Sequence, residues 1–157
     1  MTVRALIAVM AWLAGGQAWA GVSSCSVSAT AVSFGTYDPT NPSAVTPTGS
    51  ISVSCQLISG LSLLVAYTIT LSTGSGSYTA RKMIGTTTPL GYNLYLDGAM
   101  TQIWGDGVTG GTVSKSDGYL LSVGTVVMSY NVYGKMPARQ LVAAGGYSDN
   151  IVVSISY

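Results

Sequence analysis

The groups that chemistry would have to use in this 157-residue sequence are few: five aspartates, two cysteines, scattered lysines and arginines, ten tyrosines, and no histidine or glutamate. A serine or cysteine nucleophile of the usual kind needs a base beside it, and imidazole is the commonest one. Without histidine, a serine would have to rely on lysine, and no spacing here suggests that pair. Paired carboxylates do general acid and base work, but Asp38, Asp97, Asp106, Asp117 and Asp149 each stand beside Gly, Pro, Ser or Asn. In such settings aspartate accepts from its own backbone and closes a turn. No catalytic residue, cofactor or metal site is therefore expected.

One aromatic invites a binding reading. Trp104 precedes Gly105-Asp106-Gly107, and a ring beside a carboxylate on a loop suits a sugar-stacking platform. The same ring could instead anchor its loop onto the body of the domain, which is the more common use of so large an apolar side chain. Trp104 and Asp106 stand as the candidate loop recognition pair of a self-contained secreted module that binds a glycan or a surface. The glycine run itself lacks the lysine and the strand-to-helix setting of a phosphate loop.

The cysteines have a clearer chemistry. The sequence opens with Arg4, an apolar stretch over residues 5–14, then Gly15, Gly16 and the small residues Ala18 and Ala20. That order marks residues 1–20 as a cleavable secretion signal with the cut after Ala20. The apolar run is well short of the roughly 20 residues that cross a bilayer, so no transmembrane anchor is expected in the mature chain, residues 21–157. Export delivers Cys25 and Cys55 to an oxidising compartment, where a disulfide is expected between them. Closing a loop of that length constrains the unfolded chain by about 3–4 kcal/mol in the chain-entropy account.

Loss of Arg4 with the leader leaves Arg81, Lys82, Lys115, Lys135 and Arg139 against the five aspartates, a net charge of zero. A neutral surface without a basic cluster gives no footprint for nucleic acid or anionic lipid. It also gives little repulsion between like molecules.

The elements that must position these groups read as strands. Apolar residues alternate at Ile51, Val53 and Cys55, at Val65, Tyr67, Ile69 and Leu71, at Val126, Met128, Tyr130 and Val132, and at Ile151, Val153, Ile155 and Tyr157. Period two is the pattern of half-buried antiparallel strands. Tyr67, Tyr130 and Tyr157 fall on the inward faces and are expected in the core. From Cys25, Val27 and Ala29 to Val32 and Phe34 the alternation slips by an odd step, which predicts a kink or sheet switch near Thr30. Turn clusters are expected at residues 37–43, 73–77, 105–107, 115–118 and 145–146. About seven strands or fewer result, an all-β, immunoglobulin-like antiparallel sandwich with one disulfide.

Several ordered motifs resemble a known family. Cys25-Ser26-Val27-Ser28-Ala29-Thr30 followed by Val32-Ser33-Phe34-Gly35-Thr36-Tyr37-Asp38-Pro39 is similar to the start of spore coat protein U proteins. Arg81-Lys82-Met83, Leu90-Gly91-Tyr92-Asn93-Leu94-Tyr95, Ile103-Trp104-Gly105-Asp106-Gly107, Tyr133-Gly134-Lys135-Met136-Pro137-Ala138-Arg139-Gln140 and Gly146-Tyr147-Ser148-Asp149 follow in the family's order. That family is related to the subunits of archaic chaperone-usher pili. The resemblance implies a sandwich one strand short, completed first by a periplasmic chaperone and then by a neighbouring pilus or coat subunit delivered through an outer-membrane usher. It implies a product exported through the periplasm to the cell surface. The terminal run Ile151, Val153, Ile155 and Tyr157 is then the expected strand-acceptor edge. Only Gly21, Val22, Ser23 and Ser24 stand between the expected cut and Cys25, and four residues span at most about 14 Å. Against the family's polymerising pattern, that leaves no donor segment and suits a tip or terminating position, or a coat component that does not polymerise by this route.

Overall fold

The computed structural model describes residues 22–59, 63–85 and 87–157; the expected leader lies outside them. Eight strands are described: β1 (Val22–Thr30), β2 (Thr48–Ser59), β3 (Leu63–Leu71), β4 (Arg81–Met83), β5 (Leu90–Tyr95), β6 (Lys115–Leu121), β7 (Thr125–Lys135) and β8 (Val153–Ser156). They form two sheets, ordered β1-β2-β7-β5-β4 and β6-β3-β8, with every strand pairing antiparallel. The sheets face each other as a sandwich, and the alternating residues of their inner faces make the core. Ile51, Val53 and Cys55 from β2 and Val65, Tyr67, Ile69 and Leu71 from β3 are all buried, while their polar neighbours face outward.

Cys25 and Cys55 are directly opposite each other in the β1–β2 ladder, and they are joined by a disulfide with Cα atoms 4.1 Å apart. The bridge fixes the register of the edge strand on its neighbour, with Cys55 fully buried. β1 ends at Thr30, where the alternation slips, and residues 31–37 continue outside any strand.

Three expectations are corrected. The strand count is eight rather than about seven, because the three-residue β4 is a strand too short to read from alternation. Residues 115–118 are not a turn but the first half of β6. Asp117 there accepts from the Tyr130 hydroxyl at 2.8 Å instead of closing a local reversal. The chain reverses later, at 122–124, where Gly124 takes a left-handed φ of 117°, a conformation that costs glycine little. Tyr157 is 61% exposed and not core: it lies one residue beyond the last paired position, Ser156 opposite Thr68, where no further strand covers it.

Candidate functional site

A cleft runs between the end of β1 and β8, where the two sheets are not closed over each other. Its first wall is residues 31–37. Val32 and Phe34 lean over the first sheet where β2 and β7 carry glycine. A Cβ built on Gly49 would lie 2.8 Å from Val32, and one on Gly134 would lie 2.7 Å from the Phe34 ring. Any larger residue at those two positions would displace the wall. Among the hydrogen bonds of the described residues, none uses a backbone N–H or C=O of residues 31–37.

The second wall is β8 and the residues leading into it. Among the described residues, β8 pairs on one side only, with β3. The Ser72 amide donates to the Val152 carbonyl at 3.0 Å, so Val152 and, in alternation, Ser154 and Ser156 direct their backbone groups to β3. Ile151, Val153 and Ile155 consequently direct theirs to the open side, while their half-buried side chains face the core. An apolar floor lies between the walls, with Ile51, Leu71, Leu94 and Val132 at one end and Leu90 and Met136 at the other. Of the four residues expected at an acceptor edge, Ile151, Val153 and Ile155 stand on this open side, and Tyr157 lies outside it.

Polar side chains hold this cleft in shape. Asp149, at the root of β8, accepts from the Tyr92 hydroxyl at 2.7 Å, from the Ser75 amide and hydroxyl at 2.9 and 2.8 Å, and from the Asn150 amide at 2.9 Å. One carboxylate ties the second wall to β5 beneath it and to the turn after β3. Burial, and then the bond to Asp149, push the Tyr92 hydroxyl far above its ordinary pKa. On the other side, the Tyr37 hydroxyl donates to the Pro137 carbonyl at 3.0 Å and accepts from the Gln140 amide at 2.7 Å. The Gln140 side chain in turn brackets Gly91, accepting from its N–H and donating to its C=O, both at 2.8 Å.

Beside the second wall, where Ser72 also holds Val152, the sandwich is sealed by a buried cation. Arg81 of β4 is wholly inaccessible. It donates to the Ser72 carbonyl through Nε at 3.2 Å and Nη2 at 2.8 Å, to the Trp104 carbonyl at 2.8 Å and to Asn93 Oδ1 at 2.8 Å. Trp104 is itself fully buried, and its indole N–H donates to the Ile69 carbonyl at 3.2 Å. It therefore offers no face for stacking, and the loop recognition pair is not assembled. Asp106 accepts from the Val108 and Thr109 amides and from the Thr109 and Thr112 hydroxyls. Those bonds, the Thr109 hydroxyl foremost, hold its carboxyl well below the usual carboxylate range.

Residues 18–154 match the Spore Coat Protein U domain. The chain belongs to that family. Within the described residues, the motifs that carry the spore coat protein U resemblance are the ones that build the cleft and its seal. Val32 and Phe34 form a wall, Arg81, Asn93 and Trp104 the buried network, and Tyr92, Gln140 and Asp149 the supports. The chain is similar to Protein U of Myxococcus xanthus, at 32% identity over 142 residues that cover 80% of this chain and 71% of that protein. Its fold is shared with a chain of the crystallised CsuC–CsuE chaperone–tip adhesion subunit pre-assembly complex from the archaic chaperone-usher Csu pili of Acinetobacter baumannii. The two superpose with a TM-score of 0.55 at 20% identity, covering 87% of this chain. This chain spans 40% of the length of that one. Among the described residues, no helix is long and apolar enough to cross a membrane.

The alternation of Ile151, Val153 and Ile155 was legible in the sequence; the first wall and the supports were not. Asp149 was legible only as a turn former, although its motif neighbours Tyr147 and Ser148 lie beside the cleft. The one available signal for the first wall was the odd step in alternation after Ala29.

Proposed function

We propose that this chain is an exported structural subunit of a surface appendage or coat, not a catalyst, and that it assembles by accepting an extended segment of a partner into the cleft between residues 31–37 and β8. The observation that carries this reading is the pairing of two walls with unbonded backbone edges above an apolar floor. An extended peptide satisfies both at once: its backbone bonds the edges and its alternate side chains cover the floor. A periplasmic chaperone fills the cleft first, and a neighbouring subunit replaces it at an outer-membrane usher. The names carried by the relatives, a protein U and a chaperone–tip subunit complex, support assembly of this kind. The alternative, a self-contained module recognising a glycan through Trp104 and Asp106, loses support from the burial of the indole.

The test is stability with and without a donor. Alone, the protein is expected to aggregate, swap strands or stay chaperone-bound. A peptide of alternating apolar residues should raise its Tm with concentration, by about 2.7 kcal/mol of added stability at a hundredfold excess over Kd. Val153→Asp should abolish that gain by placing a charge on the face the donor covers. A stable monomer whose Tm ignores every alternating peptide would sink the reading.

A further inference from the structure

The cleft differs along its length. A narrow section of about 320 Å³ lies between residues 29–32 and Ile151 and Val153. A wide section of about 740 Å³ lies between residues 33–37 and residues 142–148. Its width has a simple source: Ala143, Ala144, Gly145 and Gly146 face it with methyl groups or none. The sections meet at Val32, Phe34, Met83 and Asp149, which border both.

Strand polarity follows from the walls. β8 is a regular strand with evenly presented edge groups, whereas residues 31–37 form no strand. An incoming segment therefore takes its register from β8, and antiparallel pairing is the more stable choice. From Asp149 to Val153 the second wall runs from the wide section into the narrow one. An antiparallel occupant must run from narrow to wide.

We propose that the cleft selects an extended partner segment whose inward side chains grow from small aliphatic at its N-terminal end to bulky aromatic at its C-terminal end. This rests on the strand-acceptor reading and adds to it the chemistry and direction of the occupant. A large ring in the narrow section meets Ile51 and Val132, which are already packed. A small side chain in the wide section leaves the half-buried Val142 and Tyr147 without a neighbour.

Two synthetic eleven-residue peptides of equal composition test it, with threonine at the outward positions. The first carries Ala, Val, Val, Phe and Trp at successive inward positions, and the second carries the same five in reverse order. The protein is refolded with increasing amounts of each, and Kd is taken from the rise of Tm with concentration. The first peptide should bind about tenfold tighter or more, the scale on which a pocket separates side chains of different size. Gly146→Phe, at a position with no atom within 4 Å of a new Cβ, fills the wide section and should reduce the difference to less than about twofold. Equal binding of both peptides by the unaltered protein, or tighter binding of the second, overturns the graded cleft while leaving strand acceptance intact. Binding of neither peptide overturns strand acceptance and the graded cleft with it.

Discussion

The sealed part of the sandwich around Arg81 and the open cleft beside it meet the same problem, a gap between two sheets, in opposite ways. At the seal Arg81 fills the gap and donates to Ser72, Trp104 and Asn93, so a full charge is buried with its hydrogen bonds made. At the cleft the apolar floor is in place, but among the described residues nothing pairs with residues 31–37 or with the outer edge of β8. The contrast teaches that the opening is not a failure of a small core to close. The polar groups around it, Asp149, Tyr92, Tyr37 and Gln140, are bonded to one another and to the backbone, and they keep the walls apart.

The largest way to break this comparison is at the seal. Arg81→Met should cost on the order of 3–5 kcal/mol, because several buried acceptors each lose about 1–3 kcal/mol when left unpaired. Denaturant midpoints would measure it. The loss should appear without any donor, and donor binding should weaken with it, because Ser72 also holds Val152 of the second wall. Replacing both Cys25 and Cys55 by serine should cost nearly as much, about 3–4 kcal/mol by release of the closed loop. Because the disulfide fixes β1 on β2, it also sets where residues 31–37 begin, so donor binding should weaken along with the melting temperature.

A smaller effect is expected at high pH. The hydroxyls of Tyr92 under the cleft and Tyr130 of β7 both have pKa values raised above the unfolded value, first by burial and then by bonds to Asp149 and to Tyr67 and Asp117 respectively. A group with a raised folded pKa stabilises the protein fully below its unfolded pKa, near 10, and loses that contribution as pH rises through the folded value. Stability should therefore fall as pH climbs above about 10. Tyr92→Phe should make that fall shallower while lowering stability at neutral pH through the loss of the bond to Asp149. An unchanged alkaline slope would contradict the placement of Tyr92.

Much of the fold was legible because it is local. The alternation of Ile51, Val53 and Cys55, or of Val65 to Leu71, depends only on a pleated strand with one buried face. The slip after Ala29 marked the end of β1 for the same reason. What was not legible depends on partners far along the chain. Lys115, Ser116, Asp117 and Gly118 have turn composition, yet pairing with residues 66–69 of β3 makes them strand. Arg81 has the composition of a surface residue, and only the meeting of Ser72, Asn93 and Trp104 around it makes a buried site. The first wall of the cleft depends on Gly49 and Gly134 lying beneath Val32 and Phe34, a coincidence of three distant segments that no periodicity records.

Hydrogen exchange of the backbone amides in the free protein and with a bound donor peptide tests the open cleft most directly. In the free protein the amides of residues 31–37 and of Val153 and Ile155 should exchange fast, while those of Ser154 and Ser156, directed to β3, exchange slowly. On adding the peptide, Val153, Ile155 and residues within 31–37 should become protected and Ser154 and Ser156 should change little. Slow exchange of Val153 and Ile155 before any donor is added would mean the edge is already paired, and would contradict the account.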